Sequence, residues 1–148
     1  MIVQPFIPGL PASVSWLIGP KQRTPLLPAT QRLSSDGRFR YLGGRIPLQP
    51  DLARRAINLT LRAIQVVPGL MGYVGVDIVL GDSAKDDQVI EINPRLTTSY
   101  LGLRRLAREN LAETMLNLVR GTRIEPLSWK RRTIDFDCEG RRVFTAQR

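Results

Sequence analysis

Two carboxylates, an amide and a guanidinium stand close together in one stretch of this 148-residue chain: Asp77 in GYVGVDIVL, then Glu91, Asn93 and Arg95 in QVIEINPR. Carboxylate and amide oxygens are hard donors, and a small set of them suits magnesium, which fills its remaining positions with water and substrate phosphate. A guanidinium beside such a cage can grip a phosphate or a carboxylate through two parallel hydrogen bonds. The chemistry suggested is the handling of a divalent cation together with a polyphosphate. On spacing alone, the same residues also fit solvated charges on the outer face of a hairpin.

Whether these groups meet depends on the elements that carry them. Val74, Val76, Ile78 and Leu80 alternate with Gly75, Asp77 and Val79; beyond the turn-rich GDSAKDD, Ile90 and Ile92 alternate with Val89, Glu91 and Asn93. Period-two alternation on both sides of a turn predicts an antiparallel pair. A loop symmetric about Ala84 sets Ile78 against Ile90, Val76 against Ile92 and Asp77 against Glu91, so that both apolar faces coincide. A one-residue slip would turn one of those faces to water. Opposed Asp77 and Glu91 repel and push one carboxyl towards protonation, a conflict that a divalent cation removes. Asn93 shares the face of Glu91, and Arg95 follows where Pro94 closes the ladder. Asp82, Asp86 and Asp87 read as solvated turn residues.

GVD followed fourteen residues later by EINPR resembles the metal-binding core of the ATP-grasp superfamily, whose members join a carboxylate to an amine or similar nucleophile. The longer run EINPRLTTSYLGLR is similar to a subgroup that includes tyramine–glutamate ligases and the pyrrolysine-pathway ligase. IVQPFIPGLPASVSWLI is similar to the hinge strand of that fold, and FRYLGGRIP, a helix and GLMGYVGVDIVL follow in the family's order. The resemblance covers about residues 2 to 120. It implies an α+β fold, an antiparallel sheet flanked by helices, forming the C-terminal large lobe without the N-terminal domain and lid. It implies Asp77, Glu91 and Asn93 as magnesium ligands, and Arg95 as the cation that steadies the phosphoryl group and an acyl phosphate. Main-chain groups of the Gln4-Pro5-Phe6-Ile7 strand would meet the adenine of ATP, although many relatives carry glutamate where Gln4 stands. Thr98 and Ser99 are candidates for lining an acceptor pocket, the alternative being local satisfaction of backbone groups.

The implied function is the ATP- and magnesium-binding lobe of an ATP-dependent carboxylate–amine ligase, with a small-molecule carboxylate and an amine as substrates. Because the chain starts at the hinge, it is expected to be incomplete as a catalyst. A truncated reading frame, a split gene or a large domain standing alone would each account for that start. The alternative function is a non-catalytic remnant or a subunit needing a partner lobe, and the expected macromolecular partner is such a lobe or a second copy in a homo-oligomer.

Composition narrows the remaining classes. With no histidine, imidazole base chemistry, a Ser-His-Asp triad and the common zinc sites are excluded within this chain, and the single Cys138 allows no internal disulfide. Any metal must be held by oxygen, which favours magnesium. No apolar run approaches a membrane span and no signal peptide is visible, so a cytoplasmic protein is expected. The net charge of +9 raises nucleic-acid binding as a rival. Against it, the arginines are scattered, and no aromatic-interleaved stripe accompanies them.

Two helices are expected around the sheet. Residues 50–67 open at Pro50 and Asp51 and set Ala53, Ile57, Leu61 and Ile64 inward, with Arg54, Arg55, Asn58, Arg62 and Gln65 facing water. Residues 101–120 set Leu103, Leu106, Ala107, Leu111, Met115 and Leu118 inward, with Asn110 marking a break and Gly121 a stop. Gly43-Gly44 lacks any phosphate-loop context and reads as a turn. Residues 1–121 form the lobe in this reading, and 122–148 a basic extension that makes a hairpin or a tether.

Overall fold

The computed structural model describes residues 5–139 and the backbone of 143–145. Its strands are β1 (Leu10–Ile18), β2 (Arg23–Pro25), β3 (Ala29–Leu33), β4 (Tyr41–Ile46), β5 (Gly72–Leu80), β6 (Gln88–Asn93), β7 (Ile134–Asp137) and β8 (Val143–Thr145). Its helices are α1 (Pro50–Gln65), α2 (Ser99–Leu106) and α3 (Leu111–Val119). All strand pairs are antiparallel, in the order β6-β5-β1-β3-β4-β7-β8, with β2 pairing to the far half of β1. The fold is α+β, an antiparallel sheet flanked by helices, as the resemblance implied.

The central strands take their faces from their side chains. β1 and β5 pair along their whole length, from Leu10 opposite Leu80 to Ile18 opposite Gly72. Ala12, Val14, Trp16 and Ile18 of β1 pack with Val74, Val76, Ile78 and Leu80 of β5 beneath α1. Each large apolar side chain so buried contributes about 1.5–3 kcal/mol. The Trp16 indole N–H, which would otherwise be stranded, donates to Thr60 Oγ1 of α1 at 3.1 Å. On the other face, Leu17, Leu26, Tyr73, Ile46, Ile134 and Phe136 pack with Leu103, Leu106, Leu111 and Leu118. That second core covers only part of its face. Ser13 of β1 and Asp77 of β5 continue the same face past the helices and line an open cleft, while Ser15 and Gly75 beside them are covered by the segment at Thr97 and Ser99.

Several expectations change in three dimensions. The buried stripe of α1 runs through Ala56, Thr60 and Ile64, with Ala53, Ile57 and Leu61 only partly covered, so the helix is rotated about one position from the expected stripe. Asp87 and Arg55 are not solvated. Asp87 is 8% exposed, and its carboxylate takes Arg55 Nε at 3.1 Å, a second Arg55 donor and the backbone N–H of Gly81 at 3.0 Å. Gly43 and Gly44 are not a turn but the middle of β4. A Cβ on Gly43 would strike the carbonyl of Phe136, and one on Gly44 would meet the Phe136 ring at 2.8 Å, so the pair admits β7 to the sheet edge. Pro5 to Pro8 carry no strand, contrary to the hinge strand expected there, and Gln4 lies outside the described residues.

The second helical stretch is broken where expected. Asn110 adopts an extended conformation and its side-chain oxygen accepts from Ala112 N and Glu113 N at 3.1 and 3.3 Å, capping α3. The tail pairs β7 with β8 and β7 with β4, forming a hairpin added to the sheet.

Candidate functional site

The register of the β5–β6 hairpin brings the proposed cage together. Asp77 is opposite Glu91 and Gly75 opposite Asn93. The expected pairing holds up to that point and then changes: a bulge after Asp77 sets Ile78 against Val89 rather than Ile90. Ile90 is the residue left unpaired and is 48% exposed. A bulge inserts one residue into one strand and re-aims the side chains around it. Here it lets Val89 and Ile92 both serve the apolar core while Ile90 and Glu91 line an open cleft.

That cleft has a volume of about 860 Å³ and runs over the uncovered part of the sheet. Asp77, Glu91, Asn93 and Arg95 line it, together with Phe6, Ile7, Thr98 and Ser99. Every described residue proposed from sequence therefore faces one cavity. Phe6, 71% exposed, stacks on Phe39 across 5.5 Å at its rim.

The polar contacts form a chain. Asp77 Oδ1 accepts from Gln31 Nε2 at 2.8 Å and Asp77 Oδ2 from Asn93 Nδ2 at 3.2 Å. Asn93 Oδ1 in turn accepts from Arg95 Nη2 at 3.3 Å, and Arg95 Nη1 donates to the Leu96 carbonyl at 3.3 Å. Asn93 is buried, which fixes its amide between the carboxylate and the guanidinium. Burial lifts the Asp77 carboxyl above the ordinary carboxylate range; the Gln31 hydrogen bond opposes this, the Glu91 charge adds to it and Arg95 counters. Burial likewise lifts the Tyr41 phenol far above its usual value, with the Asp77 charge adding to the effect, so Tyr41 stays protonated in the cleft wall.

The donor set suits a hard cation. Glu91 is exposed, opposes Asp77 across the ladder and has no hydrogen-bond partner among the described residues. Two carboxylates and an amide oxygen fall short of a full shell, which matches an ion that keeps water and phosphate ligands. Among the described residues no cluster of three or more His, Cys, Asp or Glu offers a fuller cage.

Behind the cage lies a ring of hydroxyls that sequence reasoning missed. Tyr73 donates to Ser15 Oγ at 2.6 Å; Ser15 meets Ser99 at 3.1 Å, Ser99 meets Thr97 at 2.8 Å, and Thr97 meets Tyr73 at 3.2 Å. Four hydroxyls that each donate once and accept once can close such a ring, and bonds in a ring reinforce one another. The ring ties the segment bearing Arg95 to β1 and β5. Ser99 is 4% exposed and spends its hydroxyl here, whereas the Thr98 hydroxyl has no partner among the described residues. No local pattern signals the ring, because its members come from three separate segments.

Gly75 gives that segment its seat. A Cβ at Gly75 would lie 2.5 Å from Thr97 Cγ2. Gly75→Ala is therefore expected to cost about 1–3 kcal/mol of overpacking, read as a lower urea midpoint. Adding Thr97→Ser, which removes Cγ2 and keeps the hydroxyl, is expected to restore most of the loss; an additive double variant would contradict this packing account.

Comparison with known proteins places this geometry. A family model for the ATP-grasp domain matches residues 1–99. The chain is 33% identical over 129 residues to the tyramine–L-glutamate ligase of Methanocaldococcus fervens, a match covering 87% of this chain and 40% of that protein. A solved structure assigned to the ATP-grasp superfamily, from Archaeoglobus fulgidus, superposes with a TM-score of 0.68 at 32% identity, over 89% of this chain and 40% of that one. N5-carboxyaminoimidazole synthetase from Staphylococcus aureus, solved with ADP, superposes with a TM-score of 0.70 at 17% identity, over 85% of this chain and 33% of that one. This last likeness is one of fold alone. The chain thus spans about 40% of the length of the ligase and of the Archaeoglobus protein. Because the family model takes in Asp77, Glu91, Asn93 and Arg95, and a relative one-third identical extends the match to 87% of the chain, the chain belongs to the ATP-grasp domain family.

Proposed function

We propose that the chain is the ATP- and magnesium-binding lobe of a carboxylate–amine ligase. The observation that carries this is the direct opposition of Asp77 and Glu91, with Asn93 between Asp77 and Arg95, on the floor of a cleft of about 860 Å³. A pair of carboxylates held face to face in a cleft is unfavourable unless a cation joins them. The similarity to tyramine–L-glutamate ligase favours an amino-acid carboxylate and an amine as substrates.

In this reading Asp77, Glu91 and Asn93 hold magnesium, which when bound neutralises phosphate charge. The segment at Gln4, Phe6 and Ile7 receives the nucleotide. Arg95 grips the phosphoryl group in transit: among the described residues its two hydrogen bonds, both at 3.3 Å, are to neutral oxygens, and a phosphate would add an ionised acceptor and bidentate geometry. The γ-phosphoryl passes from ATP to a carboxylate oxygen of the substrate, breaking the P–O bond to ADP as the new P–O bond forms. The amine nitrogen then bonds to the acyl carbon, the C–O bond to phosphate breaks, and phosphate leaves with the electron pair as the amine loses its proton to solvent. Thr98, whose hydroxyl has no partner among the described residues, faces the acceptor, while Ser99 holds the segment in place. Positioning and electrostatics supply the rate, and no covalent nucleophile is required of this chain.

The 148-residue chain tests the binding half of the proposal. Calorimetry with ADP is expected to show binding that needs Mg²⁺. Nucleotide binding indifferent to Mg²⁺ would count against the site. For the reaction itself, the chain combined with the region of the Methanocaldococcus fervens ligase that it does not span should form ADP only with a carboxylate and an amine present. Arg95→Ala is expected to lower that rate by roughly 100-fold or more; a rate unchanged by Arg95→Ala would sink its assigned role.

A further inference from the structure

Gln31 lies on β3, two strands from Asp77 on β5, with β1 between them. Its side chain nevertheless reaches Asp77 and donates Nε2–H to Oδ1 at 2.8 Å, shorter than the bond from Asn93 to the same carboxylate. The residue of β1 paired with Asp77 is Ser13, which on its other side pairs with Ala29, two residues before Gln31. Both Gln31 and Ser13 line the cleft. The bond therefore crosses β1 diagonally, from Gln31 two residues beyond Ala29 to Asp77 beside Ser13.

The bridge matters because of what it leaves available. An ionised carboxylate offers about four acceptor positions. Gln31 takes one on Oδ1 and Asn93 one on Oδ2, which pins the group from two sides and leaves positions open towards the cleft. The donor is also neutral. A lysine or arginine at position 31 would make the same bond while cancelling the charge a cation needs. An amide orients the carboxylate and keeps its charge.

We infer that Gln31 is a positioning residue for the Asp77 carboxylate, holding it in the orientation that receives a hard divalent cation, and that it acts as a neutral donor. This rests on the cation reading of Asp77 and Glu91 proposed above. The direction of the Gln31 amide follows from chemistry, since only its N–H end can face a carboxylate.

The test is Mn²⁺ titration of the 148-residue chain, followed by the electron paramagnetic resonance of free Mn²⁺, with urea unfolding beside it. Gln31→Met has nearly the same length and no N–H donor; Gln31→Leu serves as the second variant should Met disturb folding. Either is expected to weaken Mn²⁺ binding by about 10- to 100-fold, the range typical of lost outer-shell partners, with the urea midpoint unchanged. Gln31→Lys, which keeps a donor but adds charge, is expected to weaken binding as well. Unchanged affinity in Gln31→Met and Gln31→Leu would overturn the inference while leaving the cation site standing. Wild-type affinity in Gln31→Lys would overturn the neutral-donor argument. A wild-type chain that binds no Mn²⁺ would overturn the cation reading itself, and this inference with it.

Discussion

Glu91→Gln is expected to remove divalent-cation binding while leaving the chain folded and no less stable. The two consequences come from one geometric fact. Asp77 and Glu91 are cross-strand partners, and like charges directly opposed on a sheet destabilise it by up to about 1 kcal/mol. Asp77 already has its carboxyl raised by burial, and the Glu91 charge raises it further. Glutamine keeps the length and shape of residue 91 but removes both the repulsion and one of the two charged oxygen donors. Loss of a direct ligand should exceed the 10- to 100-fold effect typical of outer-shell changes, so Mn²⁺ affinity is expected to fall by more than about 100-fold. The urea midpoint should stay level or rise. A Glu91→Gln chain that binds Mn²⁺ as the wild type does would end the case for the carboxylate pair as the cation site. A chain that unfolds would show instead that Glu91 serves the fold.

Arg55→Leu is expected to act on stability alone. Asp87 closes the β5–β6 connection with its side chain only 3% exposed, and its carboxylate accepts from two donors of Arg55 and from Gly81 N. Arg55 also donates to the Gly81 carbonyl at 2.7 Å, so one guanidinium ties α1 to both ends of the turn. Removing Arg55 leaves the buried Asp87 charge with no countercharge and the Gly81 N–H as its remaining donor among the described residues, which is far costlier than losing an exposed pair. The melting temperature is expected to fall by on the order of 10 °C. Replacing both residues, as Arg55→Leu with Asp87→Asn, should recover much of that loss, because the stranded charge is gone. Equal melting temperatures for the single and double variants would show that the stranded charge is not the cause. Because neither Arg55 nor Asp87 lines the cleft, Mn²⁺ affinity measured well below the transition should stay close to wild type.

Much of this site is legible in the order of the residues. The alternation around Val76 and Ile92 commits the hairpin to one register, since a slip would expose an apolar face, and Asp77 meets Glu91 as a consequence. The Asn110 cap is equally readable, because a capping amide acts on backbone groups two and three residues away. Other features escape for a common reason. The Ile90 bulge trades one ladder position for the burial of both Val89 and Ile92, a balance decided by α1 lying above them. Arg55 looks solvated on a helical wheel until the β5–β6 turn folds against it. Gly43-Gly44 looks like a turn because what those glycines accommodate, the carbonyl and ring of Phe136, lies more than ninety residues away in the chain.

The hairpin at the centre of this chain therefore divides cleanly. Local period put Asp77, Glu91 and Asn93 on one face with Arg95 just beyond the strand, and composition left oxygen to hold any cation, because those properties depend on neighbours in sequence and on the absence of histidine. Only the tertiary structure decided what stands behind them: Gln31 reaching across β1 to Asp77, and a ring of Ser15, Tyr73, Thr97 and Ser99 tying down the Arg95 segment. Those contacts join residues as far as eighty-four positions apart. Side-chain hydrogen bonds of that range carry no periodicity, so they become visible only once the sheet has set the strands side by side.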